Sequence, residues 1–151
     1  MDINEKIVRE EFGKMCKAFH LVIEKVGNGE IALIGTAFLL LIWLDREGVS
    51  VKYVSLASSK FYAIDLGRFI TLKRGWVAGE LPEADENVET RLRRECSSYV
   101  VNLQRYAEDI LQGGTNWMKG ISVSSSVLSD ITGIAIEAAI QRSGKSKEWG
   151  A

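Results

Sequence analysis

The stretch that decides the fold is IALIGTAFLLLIWL, Ile31 to Leu44. Fourteen residues pass without a charge, between VGNGE and DREG. As one helix they would reach only ~21 Å at ~1.5 Å per residue. A bilayer's hydrocarbon core asks for ~30 Å, or about 20 apolar residues. The stretch also follows a charged amphipathic segment, so it does not suit a secretory h-region. As a single strand it would run ~46 Å, against a usual length of roughly 5–6 residues. Gly35-Thr36 offers the break. Glu30 to Ile34 then forms one strand and Ala37 to Leu44 the next. The second is apolar on both faces, which predicts a central strand covered on both sides.

Upstream, Gly27-Asn28-Gly29 supplies the positive-φ residues of a hairpin turn. Before it, Phe19, Leu21 and Ile23 alternate with His20, Val22 and Glu24, which predicts a strand over 19–26. Residues 3 to about 18 carry Ile7 or Val8, Phe12 and Met15 at helical spacing, with Asp2 as the cap. Downstream, Asp45-Arg46-Glu47-Gly48 is a turn, and Val49, Val51 and Tyr53 alternate with Ser50, Lys52 and Val54. These segments make a four-strand antiparallel meander preceded by a helix.

The rest reads mainly as helix and loop. Ser55 to Ser59 is a polar loop. Phe61 to Leu72 fits either a strand or a short helix. Residues 73–87 are a loop holding the chain's single proline. Val88 to Leu111 carries a helical stripe through Leu92, Cys96, Tyr99, Val100, Leu103, Ala107 and Ile110, and Gly113-Gly114 ends it. A linker with Trp117 follows. Ser124, Ser125 or Ser126 caps a last helix whose buried face is read as Val127, Ile131, Ile134 or Ala135, and Ala138. Residues 144–151 read as a flexible tail. The expected class is α+β: an N-terminal helix, a four-strand antiparallel meander, then a long helix and a C-terminal helix packed on the sheet. No second domain is visible in 1–151.

Composition narrows the function. The 151 residues carry 19 basic and 20 acidic side chains, a net charge of −1. Such a chain lacks the cationic field that holds phosphate backbones, so nucleic acid is disfavoured as a partner, and the short apolar stretch disfavours a membrane. Cys16 and Cys96 lie far apart and form no CxxC. With no signal peptide visible, two free thiols in a reducing cytoplasm are expected.

Catalytic signatures are sparse. The single histidine, His20, cannot build a usual zinc site, so no metal or other cofactor is expected. There is no GxSxG, P-loop or GxGxxG motif. Cys16 and His20 stand four apart, but with a helix ending near Lys17 they share no face, and Cys16 reads as a small hydrophobe. Asp45, Glu47, Asp65 and Asp130 have turn or helix-end explanations. The Ser122–Ser126 run could hold phosphate at a helix N-terminus, though capping is the commoner use.

One charge cluster stands out. Glu80, Glu83, Asp85, Glu86 and Glu89 follow one another with no basic residue between them. A solvated loop whose last acids favour the next helix explains them. As a functional patch they would steer toward a cationic protein, with Trp76 as the aromatic anchor. The same tryptophan could plug the core.

LDREGVSVKYV, a charged turn feeding an alternating strand, and YAEDILQGG, a helix end, resemble small bacterial α+β proteins found among toxin-immunity partners. The resemblance covers residues 5 to 120 loosely. It departs at Gly114, where related chains often carry an acid. It implies a cytoplasmic protein that works by binding, with no catalytic residues. The expected function is therefore non-enzymatic protein binding, with an immunity protein occluding a basic toxin domain as its sharper form and a homodimer as a further expectation. The alternative is a small-molecule-binding or enzymatic domain with a pocket between sheet and helices, lined by Trp43, Tyr53 and Tyr99.

Overall fold

A computed structural model describes residues 1–57, 60–76, 87–119 and 125–145. Elements follow in the order α1 (Ile3–Phe19), β1 (Val22–Gly27), β2 (Glu30–Ile34), β3 (Phe38–Asp45), β4 (Gly48–Ser55), β5 (Tyr62–Asp65), α2 (Leu66–Arg74), α3 (Val88–Tyr106), α4 (Glu108–Leu111), β6 (Ser125–Val127) and α5 (Asp130–Ser143). The class is α+β, and the apolar stretch breaks at Gly35-Thr36 into β2 and β3.

The sheet has six strands among the described residues, in the order β1-β2-β3-β4-β5-β6, each antiparallel to its neighbours. The expected four-strand meander is its first two-thirds. The fifth strand lies in the ambiguous 61–72 segment, which is strand to Asp65 and helix from Leu66. Asp65 makes the switch: its carboxylate accepts from the Arg68 N–H at 3.0 Å and caps α2. The sixth strand is three residues, Ser-Ser-Val, held by pairing with β5. Its polar composition hides it from any periodicity test.

Turn chemistry follows the expected glycines. Gly29 has φ +70, and a Cβ there would lie 2.5 Å from the Leu44 carbonyl oxygen. That oxygen's own residue donates its N–H to the Gly29 carbonyl at 2.8 Å. The turn can therefore sit against β3 only without a side chain. At the other hairpin, Asp45 Oδ1 accepts from the N–H groups of Glu47 at 2.8 Å and Gly48 at 3.1 Å.

Helix α1 runs two residues past Lys17. His20 takes φ 59, and the Leu21 N–H reaches back to the Cys16 carbonyl at 2.8 Å, a Schellman closure. His20 is thus an exposed left-handed cap rather than a strand residue, and β1 starts at Val22. The long C-terminal helix is interrupted at Ala107, which has φ −135 and splits it into α3 and α4.

The sheet is the middle of three layers. On one face Ile31, Leu33, Leu40, Ile42, Val51 and Tyr53 meet α1, α2, α3, α4 and Trp117. On the other, Ala32, Ile34, Leu39, Leu41, Val54 and Ala63 meet α5. β3 feeds both cores with alternate residues, which is why it reads as apolar throughout.

The last helix departs most from expectation. Its cap is Ser129, whose Oγ accepts from the Thr132 N–H at 3.2 Å, while Ser125 and Ser126 belong to β6. Its buried residues are Ile136, Ala139 and Ile140. Ile131 is 83% and Ile134 68% exposed. Ala138 is exposed as well. The helix carries two apolar stripes, and the sheet takes the C-terminal one. Arg142 fixes that choice by donating to the Lys25 carbonyl at 2.7 Å and to Glu24 at 3.3 Å.

Candidate functional site

The acidic segment lies mostly out of view: Glu80, Glu83, Asp85 and Glu86 fall outside the described residues. Its two flanks are placed. Trp76 packs edge-on against Tyr99, ring centroids 4.9 Å apart, at the margin of the α1–α4 core. Glu89 stands in the first turn of α3 and pairs with Arg93 at 3.2 Å, which also holds Glu10 at 2.6 Å. The acid is thus placed in a short surface network, where each pair is worth little.

The aromatic trio does not converge. Tyr53 is buried on the first face, stacked on Phe38 at 5.4 Å and met edge-on by Trp117 at 4.8 Å. Tyr99 lies on the same face, its hydroxyl 2.8 Å from where a Gly67 Cβ would be. Trp43 points to the opposite face. The expected pocket lined by all three is absent among the described residues.

Cys16 is buried and burial pushes its thiol up to about 12, the wrong direction for a nucleophile. Asp65 and Asp130 stand at helix starts. Among the described residues no group of three or more His, Cys, Asp or Glu could hold a metal ion. No helix among them is long and apolar enough to cross a membrane.

What the fold does assemble lies on the α5 face. Helix α5 packs mainly over β1 and β2. A cleft of about 400 Å³ forms between the sheet and the start of α5, lined by Glu30, Leu41, Trp43, Asp45, Ser50, Lys52, Leu128 and Thr132. The register places them. Glu30 pairs with Trp43 across β2–β3, Trp43 pairs with Ser50 across β3–β4, and Leu41 pairs with Lys52 one row along. Trp43 is 42% exposed, although Ile42 and Leu44 beside it are buried. Its indole N–H donates to Asp45 Oδ2 at 3.1 Å. The Glu47 N–H, then this indole bond and the Gly48 N–H, hold the Asp45 carboxyl below its ordinary range. Burial pushes the Glu30 carboxyl up, and the charge of Lys52 only partly opposes this.

A second groove of about 470 Å³ flanks the first, lined by Lys60, Phe61, Val127, Leu128, Ser129, Asp130, Gly133, Ile134 and Glu137. Leu128 separates the two. Val127 is 57% exposed on its rim. Ile134, also open, lines the same groove.

Glu30 and Lys52 escaped sequence reading because each looks like an ordinary solvated strand residue. Their signal is the register: once Gly35-Thr36 closes a hairpin, Glu30 falls opposite Trp43. No protein-family model, curated protein or solved structure matches this chain. The likeness to toxin-immunity partners rests on the residues quoted for it alone.

Proposed function

We propose that this chain is a non-enzymatic protein-binding domain that docks a basic partner on its α5–β6 face. The carrying observation is the outward stripe of α5. Val127 and Ile134 line the Phe61–Leu128 groove and are open, and Ile131, three residues before Ile134 on the same helix, is exposed as well. Isolated exposed apolar residues need no cause, but two lining one groove, with a third one helical turn away, suit an interface core. Asp130 and Glu137 against Lys60 leave the groove net acidic, which favours a cationic partner. In its sharper form the partner is a basic toxin domain and the chain a cytoplasmic immunity protein. The acidic run from Glu80 to Glu89 and the LDREGVSVKYV and YAEDILQGG segments support that form.

The test is affinity for the protein encoded beside this one in its native host. Ile131→Glu with Ile134→Glu should weaken binding at least ~10-fold, as interface-core residues do. Glu83→Lys, Asp85→Lys and Glu86→Lys together should slow association and flatten its salt dependence. Unchanged affinity in both variants sinks the proposal. If the wild type instead sediments as a dimer that the isoleucine variant dissociates, the face is a self-interface and the foreign partner falls.

A further inference from the structure

We propose that the Trp43 cleft binds a small amphoteric molecule: an apolar body with a free ammonium at one end and a free carboxylate at the other, as in an ω-amino acid or a short peptide. This stands apart from protein docking on α5. Three charged side chains line the cleft, and one is already engaged. Asp45 accepts from two backbone N–H groups and from the Trp43 indole, so it fixes the turn and the ring. Glu30 and Lys52 remain. Neither has a hydrogen bond or ion pair among the described residues. They stand on β2 and β4, two strands apart at ~4.8 Å per strand. Trp43 and Leu41 rise from β3 between them. Lys52 is near enough to act on the Glu30 charge and too far to pair with it. The arrangement is one anion and one cation across an apolar floor.

Ligand chemistry follows by matching. A cation alone would satisfy Glu30 and be repelled by Lys52. An anion alone would do the reverse. A neutral apolar molecule would strip water from both charges and compensate neither. A molecule with opposite charges flanking an apolar body meets Glu30, Trp43 and Lys52 together. The cleft volume, about 400 Å³, falls among ligand sites of roughly 300–1,000 Å³.

The experiment follows the Trp43 indole N–H resonance by NMR, identified by its loss in Trp43→Phe. The added molecules are ε-aminocaproate, L-leucyl-L-leucine and the uncharged N-acetyl-L-leucinamide. A saturable shift with ε-aminocaproate or the dipeptide is expected, weakened at least ~10-fold by Glu30→Gln and by Lys52→Met, as loss of a charge pairing should do. Response to ε-aminocaproate alone assigns a free ω-amino acid; response to the dipeptide alone assigns a peptide. The Trp117 indole resonance, unmoved in both variants, reports an intact core. No saturable shift from either charged molecule up to roughly 10 mM overturns the proposal. So does an equal shift from N-acetyl-L-leucinamide, or affinity that neither substitution changes.

Discussion

Arg74 grips Asp109 with both arms of its guanidinium, Nη1 to Oδ1 at 2.6 Å and Nη2 to Oδ2 at 2.9 Å. The same Nη1 donates to the Tyr106 carbonyl at 2.7 Å, and the guanidinium lies 5.3 Å from the Phe69 ring centroid. One side chain at the end of α2 therefore holds the break between α3 and α4, where a helix end leaves carbonyls to be satisfied. Arg74→Ala should cost about 1 kcal/mol in urea unfolding. Because the Asp109 side chain is 50% exposed, the coupling in a double-mutant cycle with Asp109→Asn should be only ~0.5–1 kcal/mol. Zero coupling would mean the clamp is geometric only.

Acid should erase that clamp. The Arg74 hydrogen bonds hold the Asp109 carboxyl below its ordinary value of 3.8. A depressed folded value stabilises the fold above the unfolded value, and the stabilisation is lost as pH falls through the folded one. The stability gap between wild type and Asp109→Asn should be constant from neutral pH down to about 4. Below 3.8 it should close. Asp2, held low by Lys25, loses its own stabilisation in acid in both proteins alike and leaves the gap unchanged. Denaturant midpoints across the acid range would decide, and a gap that widens toward low pH contradicts the assignment.

The two thiols should be silent in the native protein. Cys16 and Cys96 are both buried and unpaired with each other. Burial pushes each up to about 12 from an ordinary 9.0, and for Cys96 the carboxylates of Glu11 and Glu95 add to it. Thiolate is the reactive form, so a disulfide-exchange reagent at mild alkaline pH reaches these sulfurs only through opening. The labelling rate should rise in step with denaturant and release two equivalents on unfolding. Raised folded values also mean stability that is full below 9.0 and erodes as pH climbs toward 12. Prompt labelling of either cysteine in native buffer would contradict the burial.

How much of this was legible depended on whether local chemistry or long-range pairing set each feature. Gly35-Thr36, Gly27-Asn28-Gly29 and Asp45–Gly48 announce their turns through glycine and aspartate, and the first four strands follow from them. Tyr62 to Leu72 hides a strand abutting a helix, so two periods overlap with Asp65 as the seam. Ser125–Val127 is a strand only because β5 offers it a ladder. The sequence groups Trp43 with Tyr53 and Tyr99, which lie across the sheet from it. Its actual neighbours Glu30 and Lys52 are brought there by register, which no single segment encodes. The acidic run is plain in sequence, and all of it but Glu89 lies outside the described residues.

Helix α5 provides the sharpest contrast, since both its apolar stripes look alike in sequence. Ile136 is fully buried against β1 and β2, and truncating it leaves a cavity as well as removing apolar burial. Ile136→Ala should cost about 2–4 kcal/mol. Ile131, 83% exposed one and a half turns earlier, should tolerate alanine within ~0.5 kcal/mol. The N-terminal half of the helix is held by its Ser129 cap and the C-terminal half by Arg142, so neither change should unwind it. Chemical denaturation of the two variants side by side measures the difference directly. Equal losses would mean that Ile131 is covered in solution, by a second copy or by chain outside the described residues, and the open face would have to be withdrawn.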